Sequence, residues 1–397
     1  MKPASKKPLI ENIDRRDALL FTALASALAL AGCGGGDGGS TVAGVTSGGT
    51  GSFATGAITG FGSIIVGAIR FDDSKASSVL DIDDDNTDLR GRLKLGMVVR
   101  VNAKLKVGTS ADAETIEVRS ELLGPVSRKD ATTLTVLGQT VKVTATTFFD
   151  DGLDGLSSLA TNDIVEVHGF VDAVNNTITA TRIERKTPAT VKAFKLQGAV
   201  RALTATTFQI GDLVINFSAP IDVPTSLVLA NGLLVRVRLA PTPSTGVRKA
   251  VKIRAVELEV QDRDEAEVEG TITAFNSISQ FSVNGLTVDA SGAEAPAGLN
   301  LGDRVEVEGR LVKGVLIAKK VERESENDPL KFELHGTVSG LNTSTNTFVV
   351  RGVTVDFSIA QFSSGTATNL RDGVRVEVKG VVSGSGSQLR ATRISFT

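Results

Sequence analysis

The sequence predicts an all-β protein built as a tandem array of five small antiparallel β-barrel modules behind a signal peptide and a flexible linker. Three observations predict it: glycine-led starts that recur every 66–74 residues, a two-residue turn containing glycine inside each repeat, and one strictly alternating Val-x-Val strand per repeat. That period exceeds the 20–50 residues of a solenoid repeat and approaches the size at which a domain holds its own core.

The first 32 of the 397 residues carry Lys2, Lys6, Lys7, Arg15 and Arg16 ahead of an apolar run from Ala18 to Ala31. The run is too short to cross roughly 30 Å of hydrocarbon as a helix, which takes about 20 residues. It suits the apolar region of a secretory signal peptide, residues 1–32. Cys33 is the only cysteine, so no intramolecular disulfide is possible. The stretch Leu30-Ala31-Gly32-Cys33 resembles the lipobox of bacterial lipoproteins, which implies acylation of Cys33 and anchoring by more than one chain. Gly34 in place of Asp implies sorting to the outer membrane, on its periplasmic face or at the cell surface. Arg15-Arg16-Asp17-Ala18-Leu19-Leu20 is similar to a twin-arginine export signal, without the usual Phe-Leu-Lys ending. Residues 33–55 are glycine-rich and read as a tether, whose roughly 22 residues reach about 25 Å.

The starts are Gly56, Gly124, Gly198, Gly270 and Gly336, and they set modules at 56–120, 121–190, 191–262, 263–328 and 329–397. Each module continues into a hairpin whose turn is Gly67-Ala68, Leu137-Gly138, Gly211-Asp212, Asn284-Gly285 or Arg351-Gly352. Turns of type I′ or II′ need positive φ, so Gly67, Gly138, Gly211, Gly285 and Gly352 are assigned as structural turn residues. A variable segment rich in Ser, Thr and Asp follows. Then come Gly96, Asn162, Gly232, Gly302 and Gly373, each three residues before Val99-Arg-Val101, Val165-Glu-Val167, Val235-Arg-Val237, Val305-Glu-Val307 and Val376-Glu-Val378. Alternation of this kind marks a half-buried strand with valines inward and charges outward, and the preceding Gly or Asn is expected in a left-handed turn. A closing strand ends each module, as in "TITATRIE" and "LRATRISF". Five or so strands closing on themselves remove exposed edges, and barrels of this size include OB-like folds. Between modules three and four, "AVELEVQDRDEAEVEGTI" predicts a continuous or stiff strand connection.

The run Gly60-Phe61-Gly62-Ser63-Ile64-Ile65-Val66 with Ile69-Arg70-Phe71, then Leu95-Gly96-Met97-Val98-Val99, Gly124-Pro125-Val126 and Gly138-Gln139-Thr140-Val141, resembles a tandem family of bacterial envelope proteins known as domain of unknown function 5666. The resemblance covers residues 56–397. It implies an exported, often lipid-anchored β protein and carries over no catalytic residue.

Chemistry is sparse. Gly62 to Gly67 has P-loop spacing, but Ala68 and Ile69 stand where Lys and Ser/Thr are needed, and "SIIV" is strand rather than helix. Asp81, Asp83 and Asp85, with Thr87, begin a calcium-loop pattern that breaks at Asn86 and Arg92, so an acidic solvated loop is expected there, with those three aspartates as the metal candidates. "DDGLDG" from Asp150 reads the same way. His168 and His335 stand in no nucleophile motif and are expected at the surface. Lys and Arg (43) nearly balance Asp and Glu (45), and Trp and Tyr are absent, which argues against nucleic acid as a partner. The outward positions of the five Val-x-Val strands differ from module to module, so a ligand site belongs to one module, an interface or a variable loop.

These features predict a non-enzymatic, lipid-anchored envelope protein, a tandem β-module spacer or binding protein. It has no cofactor, the membrane is a partner through its N-terminal lipid, and an envelope protein or glycan is a further one. The alternatives are an oligosaccharide- or nucleic-acid-binding OB-like array, or an enzyme with a site between modules.

Overall fold

Each Val-x-Val strand is built as its alternation requires: Val99, Val101, Val165, Val167, Val235, Val237, Val305, Val307, Val376 and Val378 are all 2% exposed or less. The structure, a computed structural model, describes residues 51–397 except 83–85, 105, 151, 173, 243–246, 257–259, 326–330 and 385. The described residues form strands and four short 3-10 turns, with no α-helix among them.

In the first segment the opening strand Ser52–Phe61, the hairpin Ile64–Val66 and Ile69–Asp72, the strand Val98–Ala103 and the closing strand Ser110–Val118 form a closed circuit. The opening strand pairs antiparallel with the first hairpin strand, and the hairpin pairs Val66 with Ile69. The second hairpin strand runs parallel to the closing strand at Phe71 and Ala111. The closing strand pairs antiparallel with the Val-x-Val strand, which returns to the opening strand at Val101 and Ala54. The same circuit recurs along the chain, its parallel step at Val141 and Ile178, Ile215 and Arg248, Val288 and Leu316, and Val355 and Leu389. This is the connectivity of an OB-like barrel.

Every hairpin turn has two residues. Gly67 and Gly211 have positive φ at the first turn position only, where a II′ turn carries its glycine, whereas Leu137-Gly138, Asn284-Gly285 and Arg351-Gly352 are positive at both, as a I′ turn requires. Gly96, Asn162, Gly232, Gly302 and Gly373 lie at φ between +73° and +92°. The glycine that opens a module does different work. A Cβ on Gly198 would stand 2.3 Å from Ile210 Cγ2, so the opening strand lacks a side chain where the hairpin's last apolar residue crosses it.

The barrels share strands. Residues 52–55, assigned from sequence to the tether, belong to the opening strand, which pairs in parallel with Glu265–Val268 of the fourth segment and, through Gly60 and Phe61, with Glu333 and Leu334 of the fifth. Leu122 and Leu123 pair with Leu196 and Lys195, joining the second and third segments. One hydrophobic core accordingly runs from Ile58 and Val99 to Phe332 and Val378, and another from Val165 to Val235. Where a continuous or stiff strand connection was expected between the third and fourth segments, the described residues form two strands, Arg248–Ala255 and Arg263–Ser277, with irregular backbone at Val260, Gln261 and Asp262, and 257–259 lie outside the described residues.

Candidate functional site

In every barrel the opening, Val-x-Val and closing strands form a three-stranded sheet, and their register places outward residues in two rows, each of three except one row of the second segment. The rows are Thr55–Arg100–Glu117 and Phe53–Asn102–Thr115 in the first segment. In the second, Leu123–Glu166–Glu184 forms one row, and His168 and Arg182 belong to the other. The third segment has Gln197–Arg236–Arg254 and Lys195–Arg238–Lys252, five cations on one face. The fourth is its opposite in sign, with Glu269–Glu306–Glu322 and Glu267–Glu308–Lys320. The fifth is mixed, with His335–Glu377–Ser395 and Glu333–Lys379–Arg393.

These faces point away from their own barrels, yet several are buried by neighbouring segments. His168, expected at the surface, is 1% exposed, and its Nδ1 lies 2.9 Å from the Arg119 carbonyl oxygen of the first segment. Its position is outward for one barrel and interior for the assembly, and burial holds the imidazole below its ordinary pKa despite Glu166 and Glu184 nearby. Around it Lys195 Nζ donates to Asp81 Oδ2 at 3.0 Å and Glu166 Oε1 at 3.1 Å, and Lys186 Nζ lies 2.7 Å from both Glu166 and Glu184. Burial works against charge on Glu166, but Lys195 and Lys186 outweigh it and hold the carboxyl well below the usual range. Glu184, buried likewise but beside Arg182 and Lys186, is held at about 2.

Asp81, the first calcium candidate, therefore lies in a strand with its carboxylate engaged by an ammonium group, not in a solvated loop. Asp83 and Asp85 lie outside the described residues, as does Cys33. Asp150 of the second acidic stretch pairs with Lys94 and Arg182, each at 2.5 Å.

The acidic face of the fourth segment reads the backbone of the first. Glu267 Oε1 accepts from the Ala68 amide at 2.7 Å, and Glu269 Oε2 from the Ala57 amide at 3.3 Å, while Arg304 pairs with Glu269. A hydrogen bond with Glu267, then burial and the negative charge of Glu267 and Glu269, push the Glu306 carboxyl up to about 9. The folded protein thus keeps a proton that the unfolded chain loses near the ordinary carboxyl pKa, so this group lowers stability as pH rises from about 4.5 to about 9. Glu306→Gln keeps a donor toward Glu267 without the titration. Urea unfolding is expected to show it about 1–3 kcal/mol more stable than wild type at pH 8, after allowance for partial solvent screening, and equal to it at pH 4.

Glu333, His335 and Glu377 offer ligand atoms within 4.8 Å of one another, a group that sequence spacing did not single out. Two cations already serve it. Arg70 of the first segment pairs with Glu333 and sets Nη1 3.0 Å from His335 Nε2, while Lys379 Nζ lies 3.3 Å from Glu333 and 3.1 Å from Glu377. A divalent ion would have to expel Arg70, and the cluster reads as an ion-pair seam. His335, expected at the surface, is half-buried in it, its side chain 28% exposed.

The cationic face of the third segment meets a cavity. A cleft of about 340 Å³ opens between it and the first two segments, lined by Arg119, Lys195, Arg236, Arg238, Lys252 and Arg254, with Glu121 the acid among the lining residues. Gln197 and Ser120 add neutral polar groups. Arg254 is held by both oxygens of Asp222 at 2.7 Å, and Arg236 lies 3.9 Å from Glu121. Beneath the cleft, burial and then the charge of Arg119 draw the Arg100 guanidinium down to about 9, with Glu117 opposing and Arg236 adding to the effect. The signal for this site was in the sequence as "KLQ", "VRVR" and "VKIR", one basic strand face in a chain whose overall charge is balanced.

Closed five-strand circuits of OB-like connectivity, fused through their opening strands, define a tandem β-module protein. Residues 124–184, 269–322 and 335–395 match the family model described as "Domain of unknown function (DUF5666)". The three matches lie in tandem along the chain. No curated protein matches it. Among solved structures, one described as "drosophila Unr CSD456" is similar at 17% identity, covering 52% of this chain and 98% of that one, with a TM-score of 0.14.

Proposed function

We propose that this chain is a non-enzymatic, lipid-anchored binding protein of the cell envelope, exported by its signal peptide and held at the outer membrane through acylated Cys33. Its fused barrels serve as the scaffold, and binding takes place between segments rather than on each barrel separately. The observation that carries the binding reading is the cleft at the junction of the first three segments, lined by six cations and one acid. The outward residues differ from segment to segment, which favours one site per chain over one per module. The lipobox-like stretch ahead of Cys33 and the glycine-rich linker support the anchor.

Two measurements test the reading. Radiolabelled palmitate is expected to label the wild-type chain and not Cys33→Ser, with the variant moving from the membrane fraction to the soluble one; label that persists in the variant overturns the anchor. Pull-down from envelope extracts is expected to recover a partner, and recovery of none overturns the binding role in favour of a spacer.

A further inference from the structure

We propose that the cleft between the first, second and third segments is a binding site for a small hydroxylated anion, an acidic or phosphorylated sugar unit. The inference rests on the binding reading above and names the ligand class for its site.

The first argument is register. Arg236 sits directly opposite Arg254, and Arg238 stands between Lys195 and Lys252, so like charges face each other across all three strands. Like charges directly opposite in a sheet are destabilising. Like charges also align on the fourth face, at Glu269, Glu306 and Glu322, and on the fifth, at Lys379 and Arg393, but the third face is the one that gathers five cations in register. A face that gathers charge of one sign beside an open concavity has the arrangement of an anion-binding surface.

The second argument is shape. At about 340 Å³ the cleft lies at the small end of small-molecule sites and accommodates one or two sugar units rather than a polymer. The third is donor chemistry. Arginine presents several N–H donors in a planar fork that meets carboxylate and phosphate oxygens in pairs, and Lys252 adds a point charge. Gln197 Oε1 is buried without a hydrogen-bond partner, which supplies an acceptor for a ligand hydroxyl. The site lacks Trp and Tyr because the chain has none, so the sugar is held by charge and hydrogen bonding rather than by ring stacking.

The chemistry is shared by uronic acids and sugar phosphates, and calorimetry on the purified full chain separates them. The probes are glucuronate, glucose 6-phosphate, inorganic phosphate and glucose, each at 20 mM and 300 mM salt. At least one of the two charged sugars is expected to bind, more weakly at high salt, with glucose silent; inorganic phosphate binding as tightly as glucose 6-phosphate reduces the ligand to phosphate alone and overturns the sugar assignment. Arg238→Gln/Lys252→Gln is expected to lower affinity for the charged sugar at least tenfold while the variant keeps a cooperative melting transition. The exposed Arg371→Gln control is expected to bind as wild type. Glucose binding as well as glucuronate, with both lost in the double variant, overturns the anion assignment and leaves a binding cleft. Charged sugars binding the double variant undiminished, or binding nothing at all, overturns the site, while the pull-down judges the binding role separately.

Discussion

Lys195→Met is expected to destabilise the protein by about 3–5 kcal/mol, the cost of removing one partner from a buried charge network. Lys195 is 6% exposed and belongs to the third segment, yet its ammonium group serves Asp81 of the first and Glu166 of the second. The methionine fills a similar volume, so packing changes little and the penalty is electrostatic: two carboxylates lose a counter-charge in a region from which water is largely excluded. Lys186 remains on Glu166, which tempers the loss on that side. Adding Glu166→Gln to Lys195→Met is expected to recover part of the stability, since an amide carries no charge to strand. The penalty should also shrink on acidification. Carboxyls held below their ordinary pKa, such as Glu184 at about 2, stabilise the fold above about pH 4.5 and lose that contribution as pH falls through their folded values. Without Lys195 the Glu166 carboxyl protonates more readily, so urea unfolding at pH 7 and pH 4 should give a smaller difference between wild type and variant at the lower pH.

Gly96→Ala is expected to cost about 3 kcal/mol or more, well above what a left-handed residue alone demands. Gly96 has φ of +78°, and a Cβ there would stand 2.5 Å from the carbonyl oxygen of Thr181 in the second segment. The approach is held by Thr181 Oγ1 donating to Gly96 O at 2.7 Å and Arg182 Nη1 donating to Leu95 O at 3.1 Å. A methyl group would part the two barrels at this seam and strand those donors. Gly232→Ala is the matched comparison: its φ is +90°, and a Cβ would meet nothing within 4 Å. It carries only the backbone term, about 1–2 kcal/mol. Equal losses at the two positions, measured by thermal or urea unfolding, would remove the seam from the explanation.

The barrel was legible in the sequence because its determinants are local. Alternation in "VRVRL" and "VEVEG" sets the inward face, and Asn284-Gly285 or Leu137-Gly138 sets the turn, without reference to any other part of the chain. The junctions were not legible, for the complementary reason. Glu166, His168 and Lys195 occupy outward positions of their own strands, and only the packing of one barrel against another turns outward into buried. The pairing of Ser52–Thr55 with the fourth segment left no mark in "SFAT", which reads equally well as the end of a linker. The cationic cleft falls between these cases. Each of its strands shows its charges plainly, but their alignment depends on register, which the pattern within one strand does not specify.

The opening strand Ser52–Phe61 also bears on how the molecule comes to be folded. Beyond the hairpin and Val-x-Val strand of its own segment, its partners lie in the fourth and fifth segments, and the Ala57 amide meets a carboxylate 212 residues further along the chain. Contacts of such span close late, after the loop entropy of the intervening chain has been lost. The first of these modules along the chain is therefore among the last to be completed, waiting with an incompletely paired edge for a strand made much later. A chain of tandem repeats thus has a folding unit larger than the repeat, and its opening strand serves as the closing clasp.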